Sequence, residues 1–344
     1  MSPNIIIRTP NHLGDCIMAL PMINEAGEAH PGATITVLVP ENLAEIFYPS
    51  PVIDNIIRIP QKHVHGLIAV TKIKDMIAPL QFDIGYILPP SFGSAAAFKL
   101  AGIKERIGYI ADGRRLLLTK PLPLTAPLNA LHRSEHYFNL LRRGSGHDIE
   151  YVRPKLFLND DDLSRLEELL SGFDITKQDD FIAIAFQAVA ESRRWGEEKY
   201  TALVKKIVTD LGLTVMLIGG EQDQALGDRI AEVCGTSRVK NIAGKTSIRE
   251  TASVLSVAKG FVGNDSGPAH LAAAVGCPIV VLSGADDPKE TSPMASDKKL
   301  IYLENLECIS CVKNRCPLKG DQYMQCLNGI SVDLVYAQLC DLIA

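Results

Sequence analysis

Phe261-Val262-Gly263-Asn264-Asp265-Ser266-Gly267-Pro268-Ala269-His270-Leu271-Ala272-Ala273-Ala274-Val275 joins an apolar β-forming run to a cluster of turn formers and then to a run of small helix formers. An apolar run that ends in Asn-Asp-Ser-Gly-Pro reads as a buried strand entering a tight turn, and Ala269 to Val275 continues it as a helix. Strand, turn and helix in that order are the unit of a parallel sheet, so the chain belongs to the α/β class. Unpaired N–H groups at the helix start and the positive end of its dipole attract an anion, and Gly267 removes a side chain that would obstruct a close approach. The stretch is therefore read as a phosphate-binding turn. A plainer alternative stands beside it, in which Asp265 or Ser266 caps the helix, Pro268 occupies its first turn and His270 lies on the surface. The motif is not G-x-G-x-x-G, which argues against a dehydrogenase.

The same rhythm runs outward in both directions. Ile5 to Arg8, Thr34 to Val39 and Ile84 to Leu88 read as strands, and Ile17, Ala19, Leu20 and Ile23 give the first intervening helix its apolar face before Pro31-Gly32 stops it. Tyr151 to Asp162, a proline followed by a run of acids, reads as a linker into an amphipathic helix carrying Leu163, Leu166, Leu169 and Leu170. Beyond it the pattern restarts, with strands at Phe181 to Phe186, Thr214 to Ile218, Gly260 to Gly263 and Pro278 to Leu282. The expectation is two Rossmann-like doubly wound domains, residues 1–155 and 156–344, with the last helix packing back on the first. A length of 344 residues gives each a core of its own. Neither short-period repeats nor low-complexity tracts interrupt them.

Composition narrows the functional classes. Hydrophobic and charged fractions of 47% and 22% are those of an ordinary folded protein. No apolar run approaches the ~20 residues that span a bilayer, and Arg8 closes the only N-terminal run at once, so a cytoplasmic location is expected. A net charge of −5 argues against nucleic acid as a partner. Of the eight cysteines, Cys308, Cys311, Cys316 and Cys326 cluster near the end, while Cys16, Cys234, Cys277 and Cys340 lie among apolar neighbours and read as core residues.

Two further segments can carry chemistry. Arg8-Thr9-Pro10-Asn11-His12-Leu13-Gly14-Asp15 follows the first strand, where Asp15 at a helix start is either a general base held ionised by the dipole or merely an N-cap. Glu191-Ser192-Arg193-Arg194-Trp195-Gly196 follows a later strand. Its arginines supply forked, permanently charged donors suited to a diphosphate, or are a solvated pair with Trp195 packed beneath them.

In this order, N-H-L-G-D, S-R-R-W and N-D-S-G-P-A-H-L resemble the ADP-heptose:lipopolysaccharide heptosyltransferases, glycosyltransferase family 9, over most of the chain. Ala101 to Tyr109, Ala243-Gly244-Lys245-Thr246-Ser247 and Asp287-Pro288 fall where that family would have them. The likeness is strongest to the members that add the second heptose. It implies the GT-B architecture, two lobes facing across a cleft with the donor held mainly by the C-terminal lobe and the acceptor by the N-terminal one. It implies inverting transfer of L-glycero-D-manno-heptose from ADP-heptose to Kdo-lipid A or heptosyl-Kdo-lipid A, with neither cofactor nor metal. Asp15 matches the acceptor-activating aspartate, and Arg193 would neutralise the departing ADP. Arg194, Glu221, Lys245, Asp265, Ser266, Gly267, Pro268 and His270 would bind the donor, and Asn11, His12 and Gly14 the acceptor.

The chain departs from the family pattern at Arg193, where lysine is usual, at Gly196, where proline is usual, and at Phe186-Gln187, where Pro-Gly is usual. Lys99, Lys104, Arg106, Arg114, Arg115 and Lys120 form a basic region able to meet acceptor phosphates or carboxylates, or simply a solvated face. Leu116-Leu117-Leu118 reads as a strand, with an apolar lip against the cytoplasmic face of the inner membrane as the alternative. The terminal cysteines stand as free thiols, a redox pair or a four-thiolate zinc site. An epimerase acting on nucleotide sugars, a heptosyltransferase for another core position and a non-catalytic nucleotide-binding module are the competing readings.

Overall fold

Runs such as Ile5-Ile6-Ile7 and Phe181-Ile182-Ala183-Ile184 have no polar alternation, and all seven of these residues are shut away from solvent. Strands of that kind belong at the centre of a parallel sheet covered on both faces. The computed structural model describes residues 2–344. Its chain divides into two compact units, Met1–Phe157 and Leu158–Ala344.

In the first unit β1 (Asn4–Arg8), β2 (Thr34–Pro40), β3 (Asn55–Ile59), β4 (Ile84–Ile87), β5 (Glu105–Tyr109) and β6 (Lys120–Leu122) pair throughout in parallel, in the order β3-β2-β1-β4-β5-β6. The second unit repeats this topology with β7 (Phe181–Ala185), β8 (Thr214–Ile218), β9 (Val239–Asn241), β10 (Gly260–Asn264), β11 (Ile279–Ser283) and β12 (Lys298–Tyr302), ordered β12-β11-β10-β7-β8-β9. Both are the Rossmann order, which reverses direction between β1 and β4 in one sheet and between β7 and β10 in the other. Ligands of such sheets bind beyond the carboxyl ends of the strands at that reversal.

Local rules explain the helices that matter for those ends. Helix Phe92–Leu100 begins after β4 with the Ser91 hydroxyl accepting from Ser94 N–H at 3.3 Å. Helix Asp160–Ser171 opens on a reciprocal capping box between Asn159 and Asp162, and buries Leu166 and Leu170. The last helix, Val332–Ile343, packs on β10, β11, β12 and helix Glu197–Lys206 of its own unit.

The apolar triplet Leu116-Leu117-Leu118 is not the expected strand. Arg114–Leu117 forms a short 3-10 turn entered through left-handed Gly113. The cause is Arg114, whose fully buried guanidinium donates to the carbonyls of Tyr109 at 2.9 Å, Ile87 at 3.5 Å and Pro89. Burial brings its pKa down to about 10. Pinned there, the turn thrusts Leu116 outward, 86% exposed.

Candidate functional site

In the first unit the decisive turn follows β1. Arg8, buried, reaches forward with Nη1 to Thr9 O and Nη2 to Asn11 Oδ1, both at 2.5 Å, so the guanidinium moulds the turn from beneath. Asn11 therefore has its side-chain carbonyl committed within the turn. His12 occupies the N-cap position of helix Leu13–Asn24 without a side-chain cap bond, and Gly14 and Asp15 lie in its first turn. Asp15 is thus not the N-cap. Its Oδ1 accepts from Tyr137 Oη at 3.5 Å and lies 4.0 Å from Arg133 Nη1.

The second unit concentrates its polar groups where β10 and β7 end. At Gly263 a Cβ would lie 2.6 Å from Phe261 Cζ and 3.2 Å from Ala185 Cβ, so a larger residue would have to displace the Phe261 ring of its own strand and crowd β7. Asn264 is fully buried, and its Oδ1 accepts from Trp195 N at 3.1 Å, which ties the Arg193 loop to the end of β10. Its Nδ2 is buried without a hydrogen-bond partner among the described residues. Trp195, 2% exposed, belongs to the core and donates Nε1 to Ile330 O at 3.0 Å.

Neither Asp265 nor Ser266 caps helix Gly267–Ala274. Ser266 holds the N-cap position in extended backbone without a side-chain cap bond, and its hydroxyl turns back to Asn264 O at 3.2 Å. Asp265, 4% exposed, accepts from Ser283 Oγ at 3.1 Å through Oδ2 and faces His270 Nε2 at 3.9 Å through Oδ1. His270 is buried rather than on the surface, because the helix of small residues lies flat against the sheet. Burial, and then the neighbouring Asp286 carboxylate, push Asp265 up to about 7, against the pull of Ser283, Arg193 and Lys298. The carboxyl consequently changes protonation near neutrality.

Arg193 ends the short helical turn Glu191–Arg193, with Nη2 at 2.5 Å from Asp286 Oδ1 and its buried Nε lacking a hydrogen-bond partner among the described residues. Arg193, Asp265 and Asp286 thus form one electrostatic cluster at the reversal of the sheet. Arg194 points elsewhere: its guanidinium staples its own loop, Nε to Ala188 O at 2.8 Å and Nη2 to Val189 O at 3.2 Å. Gly244 approaches so closely that a Cβ would lie 2.9 Å from Glu221 Cα, and its φ of +73° favours glycine. This brings exposed Glu221 beside the Ala243-Gly244-Lys245 loop. The Lys245 ammonium is held by Asn241 O at 2.9 Å.

Asp286, Tyr137 and Arg133 were not singled out from the sequence. A signal existed for Asp286, which follows β11, the strand beside β10, at the same sheet edge. The two residues on helix Arg133–Ser145 reach Asp15 only through tertiary packing. The basic region expected in the first unit is largely spoken for: Arg114 is interior, Arg106 donates to Leu117 O at 2.7 Å, Lys104 pairs with Asp83 at 2.8 Å, and Lys120 holds Gly144 O at 2.6 Å.

All eight cysteines are free. Cys16 and Cys277 are buried, while Cys234 and Cys340 are partly exposed. Cys308, Cys311, Cys316 and Cys326 line one small cavity of ≈ 60 Å³ together with Ser192 and Ala285. Among the described residues no group of three or more His, Cys, Asp or Glu is arranged to hold a metal ion. The segment is bonded to both sides of the Arg193–Asp286 pair, through Ser192 N to Asn314 O at 3.2 Å and Val312 N to Ala285 O at 2.7 Å.

Residues 70–321 match the model of glycosyltransferase family 9 (heptosyltransferase). The lipopolysaccharide heptosyltransferase 2 of Escherichia coli K12 is 26% identical over 87% of this chain and 88% of its own length. The lipooligosaccharide heptosyltransferase 2 of Haemophilus influenzae is 26% identical over 99% of each. Among solved structures, the E. coli ADP-heptose LPS heptosyltransferase II aligns with a TM-score of 0.81 at 24% identity, covering 99% of this chain and 98% of that one. A family 9 glycosyltransferase from Veillonella parvula aligns with a TM-score of 0.86 at 20% identity over 99% and 97%. At those identities the two structures speak for the fold.

Proposed function

The chain belongs to glycosyltransferase family 9, the heptosyltransferases, and from that premise we propose that it transfers L-glycero-D-manno-heptose from ADP-heptose to heptosyl-Kdo-lipid A, adding the second heptose of the lipopolysaccharide inner core. Two relatives similar to it over 87% and 99% of this chain carry the number 2 in their names, which favours the second position. The observation that carries the donor site is the pairing of two buried donors, Asn264 Nδ2 and Arg193 Nε, that have no hydrogen-bond partner among the described residues, with a helix start whose N-cap residue makes no side-chain cap bond. Buried donors of this kind cost about 1–3 kcal/mol each while unsatisfied, and phosphate oxygens would satisfy them.

The chemistry is a single inverting displacement. The acceptor hydroxyl gives its proton to the Asp15 carboxylate as its oxygen bonds the anomeric carbon, and the bond from that carbon to the diphosphate breaks with its electron pair leaving on ADP. Arg193 meets the charge that develops on the departing phosphate, a stabilisation realised mainly in the transition state. Asp265, pushed up to about 7 by burial and by Asp286, offers an O–H to the donor in its protonated form. Arg194, Glu221, Lys245, Ser266, Gly267, Pro268 and His270 complete the donor side, with Arg194 and Lys245 acting through the loops they brace, and Asn11, His12 and Gly14 shape the acceptor side.

Exposed Ile68, Phe92, Ile110 and Leu124 follow the carboxyl ends of β3, β4, β5 and β6, the same sheet edge as the Asp15 turn. Such a rim suits a lipid-anchored acceptor and peripheral contact with the membrane that holds it. No helix among the described residues is long and apolar enough to cross a membrane. The test measures ADP release from ADP-heptose with Kdo-lipid A and with heptosyl-Kdo-lipid A. Release with the second acceptor alone, abolished by Asp15→Asn, is the expected outcome; release independent of acceptor would favour an epimerase or hydrolase instead.

A further inference from the structure

Asp15 meets two side chains through one oxygen, and both rise from a single helix. Arg133 and Tyr137 are four residues apart in helix Arg133–Ser145, hence one above the other on the same face, and that helix packs along Leu13–Asn24. Tyr137 Oη donates to Asp15 Oδ1 at 3.5 Å, and Arg133 Nη1 stands 4.0 Å from the same oxygen. Oδ2 carries no hydrogen bond among the described residues.

We infer that Tyr137 and Arg133 are positioning residues for the base: they hold Asp15 Oδ1 and so present Oδ2 to the acceptor hydroxyl. The inference rests on the role proposed above for Asp15. A carboxylate at the start of a helix has a free rotor and two equivalent oxygens, so a base without such partners spends most of its time misdirected. Tyr137 suits the task because it is a fixed donor. Burial, and then the Asp15 charge, push its phenol well above the usual range, so it neither takes the acceptor proton nor loses its own. Cys16, the other titratable group beside Asp15, is neutral: burial pushes its thiol up to about 12, and the Sγ donates to Pro10 O at 3.3 Å. Arg133 thus supplies the positive charge facing the carboxylate, and Tyr137 the directional bond.

Tyr137→Phe removes one oxygen and keeps the packed ring, so the full-length variant retains its fold, which its melting temperature verifies. Initial rates of ADP release, measured against ADP-heptose and against acceptor, separate kcat from the two KM values. Tyr137→Phe and Arg133→Gln each lower kcat about tenfold with both KM values unchanged, and Arg133→Lys restores most of the rate. In the Asp15→Asn background Tyr137→Phe has no further effect on the residual rate, because the group it positions is gone, whereas a packing role would lower both backgrounds alike. Wild-type kcat in both single variants, or an equal loss in both backgrounds, overturns the inference. Asp15→Asn with turnover intact would sink the base assignment itself and is distinguishable, because it reads Asp15 alone.

Discussion

Asp265→Asn is expected to stabilise the second unit at pH 8 far more than at pH 5. The wild-type carboxyl ionises near 3.8 when unfolded and near 7 when folded, because the folded chain buries it next to Asp286. Between those values the folded state keeps a proton that the unfolded state has released, so stability falls as pH rises from about 4 to 7 and stays low above. The full span, from 3.8 to about 7, amounts to roughly 4 kcal/mol at about 1.36 kcal/mol per pH unit. Two pH units of that span lie between pH 5 and 7, so the difference between variant and wild type grows by about 3 kcal/mol from pH 5 to pH 8. Asparagine cannot ionise and still offers an oxygen to Ser283. With Asp265 only 4% exposed, solvent screening takes little from the effect. Scanning calorimetry that resolves the transition of the second unit reads it as about 6–12 °C of extra stabilisation at pH 8, at roughly 2–4 °C per kcal/mol. Equal stabilisation or equal loss at the two pH values would show that the buried carboxyl is not ionising at that cost, and the electrostatic account of the cluster would fall.

Arg193→Gln keeps a polar side chain but loses the charge, and should lower kcat by about 10²–10³ while leaving the fold; a steady-state rate within a factor of about two of wild type would remove Arg193 from the chemistry. Asp162→Ala strips the part-buried Arg249 guanidinium of the carboxylate that meets its Nε at 2.9 Å, and also takes away half of the capping box at Asn159. Urea unfolding should register a loss of about 3–5 kcal/mol, and a loss below ~1 kcal/mol would mean that the pair is solvated after all.

What the sequence made legible follows from where each determinant lies along the chain. β1, β7, β10 and β11 were readable because burial on both faces leaves an uninterrupted apolar signature. β3 and β12 lie at the sheet edges and alternate weakly, and β6 and β9 have three residues each, so their patterns fall below notice. Leu116 to Leu118 misled because the residue that decides them is Arg114, whose acceptors come from Tyr109, Pro89 and Ile87. The turn from Asn264 to His270 was readable as a local motif. Its neighbours Asp286 and Ser283, and the Tyr137 and Arg133 contacts of Asp15, exist only once strands and helices are side by side. Local propensity marks where a site begins, and packing decides which groups complete it.

The two units run one strand order, and in each the fourth strand leads into a helix. After β4, Ser91 satisfies an N–H of helix Phe92–Leu100 from within the chain. After β10, Ser266 gives its hydroxyl back to Asn264 O, and helix Gly267–Ala274 begins without that help. One joint is closed by the chain itself; at its counterpart the same N–H group is left for the donor phosphate proposed above, and under that reading filling the turn and ordering the helix behind it would be one event.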